Sequence, residues 1–264
     1  RRLRASLHGA DLRRWGRPIS DDRKGRLVIV FDGRAILLDV EGTTSSIAFV
    51  YDVLFEYAKT QVGTFLDAHR SDPVVLELAV GITAAAGAPL DAAAIAADPT
   101  RAALAAIDLM NKDMKVTPLK TLQGMIWRSG FESGQLVAHV FDDVPPALAA
   151  WADSGLDVRI YSSGSIEAQQ LFFRHTAFGD LTPSLRGHYD TTTGPKREAA
   201  SYAAIAADMG LEPRQILFVS DVGPELDAAR GAGMQTVIAV RPGNREPGGV
   251  FEHPSVTSFA EIVT

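Results

Sequence analysis

Two periodicities divide this chain. Ile36, Leu37 and Leu38 form a short apolar run with no polar face, the pattern of a strand buried on both sides of a parallel sheet. It ends in an acidic, glycine-containing turn, Asp39-Val40-Glu41-Gly42-Thr43-Thr44. The period then changes. Ile47, Val50, Tyr51, Leu54 and Ala58 recur at helical spacing. Asp72-Pro73 opens another helix, because proline fits the first helical turn, and residues 74–86 keep the helical spacing. An alanine-rich stretch over 84–106 is broken near Ala88-Pro89 and Asp98-Pro99. Thr117-Pro118 precedes Leu119, Leu122, Met125 and Ile126 on one helical side. Residues 46–138 contain no strand pattern. Strands are predicted again at 158–161, 216–219 and 236–240. Helices are predicted at 145–154, 166–174, 196–209, with Gly210 as a stop, and 225–231. Repeated strand–helix units imply an α/β fold, a doubly wound, Rossmann-like parallel sheet. Its core would be residues 35–45 and 139–264, with residues 46–138 an inserted all-helical cap.

Composition adds constraints. The chain has 264 residues, 46% hydrophobic and 22% charged, the balance of a soluble globular protein with room for one domain and an insertion. It has no cysteine, which excludes disulfides and thiolate metal sites and is compatible with a reducing cytoplasm. No apolar run approaches the roughly 18–20 residues of a membrane span, so no membrane partner is expected. A formal net charge of −6 argues against a general nucleic-acid binder. The charge is uneven. Residues 1–34 hold ten Lys/Arg against four Asp/Glu, so the remainder carries −12. This basic segment has neither the apolar stretch nor the cleavage site of a secretory signal. It is expected to be a poorly ordered extension in which only residues 27–31 are patterned as a strand, and its removal is expected to leave the fold intact.

Three predicted strands end in polar residues: Asp39 with Glu41, Ser162 with Ser163, and Ser220 with Asp221. In a parallel sheet these ends share one edge, where α/β folds bind ligands. Asp39 suits a nucleophile that takes a phosphoryl group. The carboxylates of Asp39 and Asp221 suit magnesium, a hard cation that takes oxygen ligands. Ser162 and Ser163, with nearby backbone N–H groups at a helix start, suit phosphate oxygens. Lys196, placed at the start of a helix, would neutralise charge shared by nucleophile and phosphate. Alone, each has an ordinary reading: Asp39 a strand-to-loop turn, Ser162-Ser163-Gly164 a helix cap, Lys196 a solvated helix residue, Asp221 a cap. Arg241-Pro242-Gly243-Asn244 reads as a turn. The six histidines show no ligand spacing.

The joint order of these motifs resembles the haloacid dehalogenase-like phosphatases. Three stretches are similar to one branch, the enolase-phosphatases (acireductone synthases) of methionine salvage. These are the turn Asp39–Thr44, the stretch from Tyr161-Ser162-Ser163-Gly164 to Gln169, and Val237 to Asn244. Leu119 to Arg128 resembles the cap of that branch, and the likeness runs from about Ile36 to the C-terminus. The second acid of the first motif is usually Asp in the wider superfamily. Glu41 at that place favours the enolase-phosphatase branch. The resemblance implies Asp39, Glu41 and Lys196 as catalytic residues, with Glu41 the acid/base. It implies Ser162, Ser163 and Lys196 as substrate-binding residues. One Mg2+ per chain would be held by the carboxylates of Asp39 and Asp221 and the backbone carbonyl of Glu41, and Glu225 would orient water or Lys196. The implied reaction enolises 2,3-diketo-5-methylthiopentyl-1-phosphate and then hydrolyses the enol phosphate through an aspartyl-phosphate. The product is the acireductone 1,2-dihydroxy-3-keto-5-methylthiopentene. The cap would exclude water and select the substrate. A cytoplasmic monomer acting on this small phosphorylated diketone is expected. The rivals are a general small-molecule phosphomonoesterase of the same superfamily and a non-catalytic binding protein using the basic N-terminal segment.

Overall fold

The computed structural model describes residues 18–21, 26–244 and 253–264. The chain divides into two compact units. One comprises residues 1–44, 141–163 and 184–264. The other comprises 45–140 and 164–183.

The first unit is built on parallel strands. β1 (Pro18–Asp21) pairs antiparallel with β2 (Arg26–Val30), and β2 pairs in parallel with a two-residue strand near the C-terminus, β9 (Ile262–Val263). The main sheet takes β3 (Ala35–Leu38), β4 (Asp157–Tyr161), β5 (Gly187–Tyr189), β6 (Ile216–Ser220), β7 (Gln235–Ala239) and β8 (Ser255–Val256). Its order is β5-β4-β3-β6-β7-β8, parallel throughout, as the strand–helix alternation predicts. β3 lies between β4 and β6. All four of its residues are fully buried, which is why its sequence is an unbroken apolar run. Ala35, Leu37, Ile216 and Phe218 share an apolar cluster with Tyr202 and Ile205 of α8 (Ala199–Asp208) and Leu226 and Ala229 of α9 (Gly223–Gly231). Ile36 and Leu38 point to the opposite face, by the alternation of strand side chains. α6 (Val144–Asp153) packs against β4, and its Trp151 meets Phe259 at 5.4 Å between ring centroids.

The second unit is helical. A π-wound segment, Phe49–Phe55, runs straight into α1 (Glu56–Ala68). α2 (Pro73–Ala85) starts where expected: the Asp72 carboxylate accepts from the backbone N–H groups of Val74 and Val75. Asp91 caps α3 (Ala92–Ala97), and the break at Asp98-Pro99 separates it from α4 (Thr100–Asn111). α5 (Thr117–Glu132) follows. Ala58, Val62, Ala79, Ile82, Ala102, Ala106, Leu119, Leu122 and Ile126 form one core, where small alanines let the helices approach closely. α7 (Ile166–Arg174) packs on α5 and belongs to this unit, with Ser165 as its N-cap. No helix among the described residues is long and apolar enough to cross a membrane.

In the N-terminal segment the strand patterned over residues 27–31 is present as β2, and it is paired into the fold. Of the extension expected to be poorly ordered, residues 1–17 and 22–25 lie outside the described residues. Residues 26–34 are part of the fold. β2 pairs with β9, Ile29 and Phe31 are buried, and Phe31 N donates to Val263 O at 2.9 Å. A Cβ on Gly33 would lie 2.1 Å from the Phe31 ring and 2.6 Å from Gln215 O, so the chain passes tightly into β3.

Candidate active site

Asp39 sits at the carboxyl end of β3, still in register, its N–H donating to Val219 O at 3.0 Å. From β3 the strand order runs one way through β4 and β5 and the other through β6, β7 and β8. Asp39 therefore lies at the topological switch point, where open α/β sheets bind ligands. The chain then closes a tight turn. Thr43 N and Thr44 N both donate to Val40 O, and Thr44 Oγ1 donates to Asp39 O at 3.2 Å. Gly42 takes φ +75°, and a Cβ there would fall 2.2 Å from Asp221 Oδ2. Only glycine allows this approach.

The charges converge at the same edge. Lys196 Nζ lies 2.5 Å from Asp39 Oδ1 and 2.7 Å from Glu225 Oε2, with its side chain almost wholly buried. Burial disfavours the ammonium, yet Asp39 and Glu225 together hold its pKa above that of an ordinary lysine. Lys196 thus holds one oxygen of the Asp39 carboxylate, Oδ1. Lys196 is not the start of a helix, as the sequence suggests. It sits in a turn three residues before α8. Pro195 O accepts from Glu198 N and from Ser201 Oγ, which closes that turn and delays the helix to Ala199. Two tyrosines brace the turn: Tyr202 OH donates to Lys196 O at 2.7 Å and Tyr161 OH to Gly194 O at 2.8 Å.

Asp221 follows β6. Its N–H donates to Thr43 Oγ1 at 3.0 Å, which ties the end of β6 to the Asp39 turn. Burial first, then the negative charges of Asp39 and Glu225, push its carboxyl up to about 7. The same burial and the Asp39 charge raise Glu225, whose Oε2 also accepts from Ser220 Oγ. Three carboxyl groups thus face one lysine, and Asp221 Oδ1 is buried with no hydrogen-bond partner among the described residues. That excess of acid, with an orphaned hard oxygen, fits a divalent cation. No group of three or more His, Cys, Asp or Glu among the described residues is placed to hold one. A hard cation such as Mg2+ takes only one or two carboxylates and keeps several waters.

Ser162 is buried at the end of β4, its N–H donating to Tyr189 O, and Ser163 beside it is exposed. Glu41 is half-buried in the turn two residues after Asp39. The structure thus joins Asp39, Lys196, Glu225 and Asp221 by contact or electrostatics, and sets Glu41, Ser162 and Ser163 on the same sheet edge.

Sequence reasoning missed a supporting layer. Arg241, read there as part of a turn, is buried: its Nε donates to Thr43 O at 2.9 Å and its Nη1 to Asp143 Oδ2 at 2.8 Å. Its guanidinium stacks on Phe141 and Phe259, 4.8 and 4.3 Å from their centroids. Burial opposes the Asp143 charge, but Arg241, Phe259 N and Ser258 Oγ hold its carboxyl below the usual range. Asn244 Nδ2 donates to Gly42 O at 2.7 Å. The one available signal was position: an Arg and an Asn in the turn after a core strand, on the edge that carries Asp39.

Comparison with known proteins agrees with this geometry. Residues 34–233 match the family described as haloacid dehalogenase-like hydrolase. The chain is 47% identical over 230 residues to the enolase-phosphatase E1 of Pseudomonas aeruginosa (strain UCBPP-PA14), covering 87% of this chain and 98% of that protein. It is 46% identical over 215 residues to the enolase-phosphatase E1 of Drosophila mojavensis, covering 80% and 86%. Among solved structures, the UTR4 protein of Saccharomyces cerevisiae superposes with a TM-score of 0.72 at 33% identity, covering 86% of this chain and 98% of that one.

Proposed function

The chain belongs to the enolase-phosphatases of the haloacid dehalogenase-like hydrolases, and from that premise we propose that it turns 2,3-diketo-5-methylthiopentyl-1-phosphate into an acireductone and phosphate at the Asp39 edge. The observation that carries the proposal is the buried contact of Asp39 with Lys196, itself paired to Glu225, at the switch point of the sheet. Lys196 grips Asp39 Oδ1 and leaves Oδ2 as the nucleophile that takes the phosphoryl group and forms an aspartyl-phosphate. Its ammonium offsets the negative charge that gathers as carboxylate meets phosphate, and burial strengthens that effect. Glu225 fixes the lysine's position. Ser162 and Ser163 are the substrate-binding hydroxyls, and Lys196 shares that task. Water then hydrolyses the aspartyl-phosphate and frees Asp39.

Enolisation precedes this. A base must take the proton beside a carbonyl, and Glu41, at the turn after the nucleophile, is the acid/base in this reading. Asp39 and Asp221 would hold one Mg2+ through their carboxylates and Glu41 through its backbone carbonyl. Bound there, the ion would act as a Lewis acid towards substrate oxygen. The Gly42 approach and the orphaned Asp221 Oδ1 support this assignment. The enzyme works in methionine salvage, and the absence of cysteine fits a cytoplasmic setting; a monomer suffices, because every residue named lies in one chain.

Turnover of the diketo phosphate tests the proposal. We expect Mg2+-dependent phosphate release together with the ultraviolet absorbance of the acireductone. Release of phosphate from sugar phosphates or phosphoserine, with none from the diketone, would replace it with a general phosphatase.

A further inference from the structure

We infer that Asn244 is a positioning residue for the metal carboxylate. Its amide N–H groups hold Gly42 and Asp221, and its carbonyl oxygen faces the hydration shell of the bound cation. The inference rests on the reading of Asp39 and Asp221 as cation ligands.

Asn244 closes the turn after β7, its own N–H donating to Arg241 O at 3.1 Å. Its Nδ2 donates to Gly42 O at 2.7 Å and lies 3.4 Å from Asp221 Oδ2. The Gly42 contact fixes which way the amide faces, because the reversed amide would press one carbonyl oxygen against another. Oδ1 therefore points away from Gly42. It is buried and has no hydrogen-bond partner among the described residues, and the same is true of Asp221 Oδ1. Two acceptors are thus buried unsatisfied among residues joined by one amide. Leaving an acceptor buried and unpaired is unfavourable, so a ligand that satisfies both is favoured. A hydrated divalent cation has the required chemistry: the ion takes a carboxylate lone pair, and its waters donate to a neutral carbonyl. Gly42 is what lets the three residues meet. A Cβ there would fall 2.2 Å from Asp221 Oδ2 and 3.0 Å from Asn244 Nδ2. Groups that orient a ligand in this way change metal affinity by about 10–100-fold when removed.

The test is calorimetric titration of Mg2+ into the metal-stripped full chain, comparing wild type with Asn244→Ala and Asn244→Ser. Thermal unfolding of each is measured in EDTA and in Mg2+. We expect Mg2+ affinity to fall about tenfold or more in both variants. We also expect the rise in Tm on adding Mg2+ to shrink while the Tm in EDTA stays near that of wild type. If Asn244→Ala does not fold, the serine variant, too short to reach both partners, carries the comparison. Variants that bind Mg2+ within twofold of wild type would overturn the inference alone and leave Asn244 as a loop brace. A wild-type chain that takes up no Mg2+ would overturn the reading of Asp39 and Asp221, and this inference with it.

Discussion

At Lys196 three charges meet in a volume almost closed to water, and the residue-scale predictions follow from that. Replacing Lys196 with Met leaves Asp39, Glu225 and Asp221 facing one another with no cation. Breaking a buried pair in this way costs on the order of 3–5 kcal/mol, so Lys196→Met should lower unfolding stability in urea by about that amount and abolish phosphate release. A stable, inactive variant would show that the lysine acts in chemistry alone. The Asp221 carboxyl, held up to about 7 by burial and its acidic neighbours, gives a pH prediction. A proton and a cation compete for it, and the proton wins as pH falls below 7. Mg2+ affinity should therefore weaken about tenfold per pH unit below about 7 and level off above it. A Kd unchanged between pH 5.5 and 8.5 would contradict this. At this scale the acidic turn and Asp221 were legible as reactive residues at strand ends, and Lys196 as part of the joint order of motifs. Arg241 and Asn244 were not, because each bonds a backbone oxygen of a turn some 200 residues away, and beyond their place after a core strand nothing in the sequence marks such a contact.

Among the elements, those with four or more patterned residues were readable and the shortest were not. β3, β4, β6 and β7 follow their apolar runs. β5 spans three residues and β8 and β9 two each, below the length at which a strand pattern forms. Missing β9 hid the pairing that brings β2 into the fold, and so the expectation that residues 1–34 can be removed without cost. Phe31 is buried, bonded through its N–H to Val263 O, and crowded against Gly33. Phe31→Ala should then destabilise by roughly 3–5 kcal/mol, the range for a buried phenylalanine, and deletion of residues 1–34 by no less. Urea unfolding checks both. An unchanged midpoint on deletion would show that β2 and Phe31 add nothing to the core.

For the whole molecule, alternating strand and helix patterns were enough to give a parallel sheet interrupted by a helical insertion. The grouping of residues 164–183 with the helical unit was not predictable. The pattern of α7 says that one face is buried, but not that α5, Phe131 and Phe49 cover it. In the proposed function one sheet edge performs two reactions in order, and only the second needs the Asp39 nucleophile. Single-turnover reaction of the diketo phosphate with wild type and Asp39→Asn tests it most directly. Ultraviolet absorbance reports the enol and free phosphate is assayed in parallel, at Mg2+ concentrations shown by titration to saturate both proteins. We predict acireductone and phosphate in equal amounts from wild type. From Asp39→Asn we predict accumulation of the enol phosphate, with phosphate release slowed at least about a hundredfold. Phosphate released by the variant at a rate near wild type, or no enol formed while Mg2+ is bound, would contradict the account.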